Sequence, residues 1–78
     1  INVMNEVSKR VLSSIDEVLI DVLGDVSNLQ TTILGAKRLC SNDDELKEFL
    51  KDNYATRHVE QLRDSREKIQ MLLSLISE

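Results

Sequence analysis

From Met4 to Ile33 the strongest apolar residues are Met4, Val7, Val11, Ile15, Val18, Val22, Val26, Leu29 and Ile33, at steps of 3, 4, 4, 3, 4, 4, 3 and 4. Steps of three and four put successive side chains on one face of an α-helix. The pattern repeats after eleven residues, which keeps a seam nearly straight or slightly right-handed. This row predicts one long first helix over residues 3–40.

A second row, Leu12, Leu19, Leu23 and Leu34, widens the apolar face to about half the helix circumference at ~100° per residue. At ~25 cal/mol per Å² of apolar surface, one partner helix leaves a costly area wet. The first helix is therefore expected to touch at least two others. Gly24 and Gly35 each cost about 1 kcal/mol in a helix interior relative to alanine. The apolar phase runs through Gly24 unshifted, which favours a continuous, bent helix over one broken and recapped at Asp25 or Ser27. Both glycines fall on the side away from the stripe, so close packing is not read as their purpose.

Ser41-Asn42-Asp43-Asp44-Glu45 carries two overlapping helix-start patterns, Ser41 with Asp44 and Asn42 with Glu45. The three acids suit the positive end of a following helix, and Lys37 and Arg38 the negative end of the preceding one. A turn at 41–42 and a second helix over 43–52 follow. Leu46, Phe49, Leu50 and Tyr54 share one face of that arm, while Val59, Leu62, Ile69, Leu72, Leu73 and Ile76 share another, rotated by roughly a third of a turn. The poorly helix-forming stretch from Lys51 to Thr56 must absorb the rotation. A kink over 53–56, with Thr56 as a new N-cap, and a last helix over 57–77 are expected. The fold class is all-α: a long antiparallel helical hairpin, its return arm kinked or broken near Asn53, dimerising into a four-helix bundle. A compact three-helix bundle is the alternative.

Seventy-eight residues make a single small domain of marginal stability unless something staples it. No proline, two glycines, one Phe, one Tyr, no Trp and 31% charged residues are the composition of a long-helix protein. A lone cysteine, Cys40, excludes an internal disulfide, and with His58 as the only histidine no zinc-ligand set exists, so oligomerisation is the staple left. The unpaired thiol points to a reducing, intracellular and cytoplasmic setting. Apolar runs such as Val18-Leu19-Ile20 fall far short of the ~20 residues of a membrane span. A start at Ile1 reads as a fragment of a longer protein. The net charge of −4 gathers in Asp16, Glu17, Asp21 and Asp25, with no base between Val11 and Ala36, which disfavours a nucleic-acid surface.

Few side chains suggest chemistry. The stretch His58-Val59-Glu60-Gln61-Leu62-Arg63 resembles the phosphoacceptor box of histidine-kinase dimerisation hairpins, which are also two helices that dimerise into four. The resemblance implies a phosphotransfer hairpin using His58. It departs from that box in having no acid directly after His58, no Thr-Pro after Arg63, and its histidine on the second arm; a surface or boundary histidine is the plainer reading. Cys40 sits at a helix C-terminus, where the dipole opposes a thiolate, and reads as a small residue closing the seam. Asp43, Asp44, Glu45 and Glu48 lack the alternating spacing and central glycine of a calcium loop, and capping explains them.

The expectation is thus a non-enzymatic module, without cofactor or metal, whose partner is protein, either itself or a related helical chain. The assembling surface expected on the first arm is Val11, Ile15, Val18, Leu19, Val22, Val26 and Leu29. On the second arm it is Leu62, Ile69, Leu72, Leu73 and Ile76, with Met71 and Leu75 left outside the main stripe. Glu17, Asp21 and Asp25 form an acidic ridge expected to select the partner. A monomeric three-helix domain binding a peptide or small protein is the remaining alternative.

Overall fold

A computed structural model describes residues 3–77 and shows three α-helices: α1 Glu6–Leu39, α2 Asp43–Asp52 and α3 Ala55–Ser77. Helix α1 starts later than its apolar periodicity suggests because Asn5 caps it, its side-chain oxygen accepting the Ser8 backbone N–H at 2.8 Å. Val3 and Met4 therefore precede the helix, the signal being a capping asparagine inside an apolar row. The helix then runs unbroken through Gly24, where a Cβ would meet nothing within 4 Å.

Between α1 and α2 the capping pair is Asn42 with Glu45. Asn42 Oδ1 accepts the Glu45 N–H at 2.9 Å, while the Glu45 carboxylate reaches back to accept the Ser41 N–H at 3.1 Å and the Asn42 amide at 3.3 Å. This is the reciprocal satisfaction of orphan donors that a capping box provides. The return arm is interrupted at Asn53 and Tyr54. Tyr54 takes φ 57°, in the left-handed region, and its N–H donates to Lys51 O at 3.1 Å. That single residue turns the chain between α2 and α3. Thr56 lies within the first turn of α3 and does not cap it, because Tyr54 already supplies the carbonyl that receives the His58 N–H.

Helix α3 runs back along α1, with Phe49 of α2 over Gly35 and His58 of α3 over Asp25. The Gly35 reading needs correction. A Cβ there would lie 2.9 Å from Phe49 Cζ, so the missing side chain is what lets the ring seat against α1. Hence Gly24→Ala should raise the unfolding free energy by about 1 kcal/mol through helix propensity alone. Gly35→Ala should not, because the ring must shift; equal gains in urea titrations of the two variants would contradict this.

The seam between α1 and α3 follows a strict heptad, and this corrects the eleven-residue row. The main covered series on α1 is Val11, Ile15, Val18, Val22, Asp25, Leu29, Thr32 and Ala36, and on α3 Ala55, His58, Leu62, Ser65, Ile69, Leu72 and Ile76, with Ser8, Ser14, Gly35 and Gln61 half-buried beside it. Both alternate steps of three and four. Two helices winding around one another keep contact every 3.5 residues, so the contact line drifts away from a residue set chosen by apolarity alone. Thr32 is accordingly 7% exposed while its neighbour Ile33 is 48% exposed, and Asp25 takes the place expected of Val26. The buried apolar residues are few: Val11, Val18 and Ala36.

Candidate interaction surface

The seam has a flank on either side, and both expose large apolar residues. Residues that directly precede seam positions, Asp21 and Asn28 on α1 and Gln61 and Lys68 on α3, line one open groove of about 540 Å³, together with Gly24, Asp25 and Asp64. That flank is mixed: Ile20 lines the same groove, and Met71 and Leu75, which directly precede the seam residues Leu72 and Ile76, are exposed beside the polar residues. Residues that directly follow seam positions are Leu12, Leu19, Val26 and Ile33 on α1, each seven apart, and Val59, Arg66 and Leu73 on α3. Because α3 runs opposite to α1, these two sets share the other flank. All of them are exposed, and Leu23 lies beside them at 69%.

The residues expected to assemble therefore divide. Val11 and Val18 are buried against the return arm, and Ile15, Val22, Leu29, Leu62, Ile69, Leu72 and Ile76 are half-buried there, so they hold the chain to itself. Leu19, Val26 and Leu73 remain exposed. Sequence reasoning left Ile33 in the inner row and Val59 in the inner face of the second arm. The heptad offset by one residue, Leu12-Leu19-Val26-Ile33, was the available signal.

The acidic ridge also divides. Glu17 and Asp21 are exposed, but Asp25 turns into the seam beside His58. The imidazole Nδ1 lies 3.5 Å from Asp25 Oδ1, with the two side chains 20% and 14% exposed respectively. Nδ1 is buried and makes no hydrogen bond to a described residue. A partly buried polar pair costs stability relative to packed apolar groups, and it sits in a seam that also holds Thr32 and Ser65. Replacing both by leucine should raise the unfolding free energy by about 1 to 2 kcal/mol, because an imperfect buried polar pair gives way to packed apolar groups. A fall in the unfolding midpoint would contradict that account.

Cys40 is half-buried at the end of α1 beside an apolar hollow that also includes Ile33, Ala36, Leu46 and Leu50. Among the described residues no group of three or more metal-ligating side chains comes together, and no helix is long and apolar enough to cross a membrane. Searches of protein-family models, of curated proteins and of solved structures find no match to this chain.

Proposed function

We propose that the chain is a helical oligomerisation module, acting by assembly rather than by catalysis, in which two copies or two related chains merge into a four-helix bundle. The observation that carries this reading is the surface left over after the chain has folded. Its accessible area is 6502 Å². A compact monomer of 8.9 kDa exposes roughly 4,800 Å². The excess is about twice the ~800 Å² that each partner contributes to a standard interface. The radius of gyration, 17.8 Å, against ~11.5 Å for a compact domain of this length, has the same origin in a rod of 61 × 17 × 14 Å.

The leftover surface is apolar where it matters. Leu12, Leu19, Leu23, Val26 and Ile33 make an exposed apolar row on one flank, interrupted by Asp16 and Gln30, while the other flank exposes Ile20, Met71 and Leu75 among polar residues. Scattered exposed apolar residues are ordinary, but a row of them along one flank marks an interaction site. Heating at a series of protein concentrations tests the proposal, since dimerisation couples folding to mass action. The unfolding midpoint should rise with concentration; a midpoint independent of concentration would reject assembly.

A further inference from the structure

We infer that the occupant of the apolar flank is α1 of a second copy of this chain, packed antiparallel about a two-fold axis at Leu23. This inference rests on the assembly reading above and specifies its geometry. The exposed flank of α1 is itself a heptad seam: Leu12, Asp16, Leu19, Leu23, Val26, Gln30 and Ile33 follow one another at alternating steps of four and three, and every one is exposed. From either end the order is apolar, polar, apolar, apolar, apolar, polar, apolar. An order of residue types that reads the same from both ends suits an isologous interface, in which each surface meets its own reverse.

The pairing follows from the numbering. With Leu23 on the axis, Asp16 faces Gln30 of the second copy, while Leu19 and Val26, and likewise Leu12 and Ile33, come opposite one another to within one residue's rise of ~1.5 Å, each pair occurring twice. The Gln30 amide N–H then donates to the Asp16 carboxylate, so the two polar residues satisfy one another inside an apolar row. The parallel alternative sets Asp16 against Asp16, two like charges without a donor between them. Lys9 and Lys37 close the seam at either end, in the same phase and both exposed, where solvent and salt screen them. Asp16 forms no ion pair with another described residue, which leaves its carboxylate available.

Single cysteines in the full chain carrying Cys40→Ser test the arrangement, because a disulfide forms only between residues whose Cα atoms come within about 7 Å. Under mild thiol–disulfide exchange Leu23→Cys should convert most of the protein to a covalent dimer. Leu12→Cys alone should stay monomeric on a non-reducing gel, and its mixture with Ile33→Cys should give the mixed dimer. Leu12→Cys cross-linking to itself would overturn the inference in favour of a parallel pair. Leu23→Cys cross-linking only to Val59→Cys would overturn it in favour of α1 against α3. Should the reduced protein have a dimer's mass while Leu23→Cys fails to cross-link, the arrangement falls and assembly stands; a monomer's mass removes both.

Discussion

Leu19→Asp combined with Val26→Asp is expected to turn the assembled protein into a folded monomer. Both side chains are exposed in the isolated chain, at 43% and 47%, and neither belongs to the seam that holds α3 on α1. Two carboxylates there leave Val11, Val18 and Ala36 covered, so helix content should be retained. In the proposed assembly the same positions would be buried from both copies, and each lost aliphatic side chain would remove about 1.5 to 3 kcal/mol of burial. The carboxylates add the cost of desolvation. A loss of at least 100-fold in association, about 2.8 kcal/mol, is the expected scale. Sedimentation velocity with circular dichroism on the same samples reads both parts. An unchanged sedimentation coefficient would exclude this flank from the interface.

Val18→Asp should do the opposite and destroy the fold itself. Val18 is 5% exposed, midway along the α1 seam, and α3 covers it. A carboxylate at that position is withdrawn from water beneath α3, and Lys68, which lines the groove beside Val18 together with Ser65, stands at the open edge of the seam rather than within it. Burying an uncompensated charge costs about 3 to 5 kcal/mol, which is comparable to the whole stability that a core of this size supplies. Loss of the cooperative unfolding transition is the expected result. A variant that still melts cooperatively within a few degrees of the parent would mean that α3 does not cover Val18 in solution.

The contrast between these two variants shows what the sequence made legible and what it concealed. Helical character, the turn before Asp43 and an interruption after Asp52 follow from local chemistry: steps of three and four, the Asn42–Glu45 box, and a run of poor helix formers. The choice of inner and outer rows did not. Apolarity ranks Val26 above Asp25 and Ile33 above Thr32, yet the winding of two helices sets the contact line at 3.5 residues per turn and places the polar member inside each time. His58 is the tertiary reason for Asp25, and no local pattern joins residues so far apart in the chain.

Two further features were hidden for related reasons. Gly35 looked idle because it lies off the apolar stripe of its own helix, and only the position of Phe49 reveals the space it leaves. Tyr54 turns the return arm with a backbone conformation that glycine or asparagine usually supplies, so residue type pointed to the neighbouring Asn53 and Thr56 instead. The acidic ridge was legible only for Glu17 and Asp21, whose exposure needs no knowledge of α3.

Self-association is the claim on which the account turns, and the mass of the unmodified protein in solution tests it most directly. Sedimentation equilibrium over a range of concentrations should give a species of twice 8.9 kDa that dissociates on dilution. A mass that stays at 8.9 kDa across the whole range would contradict the account.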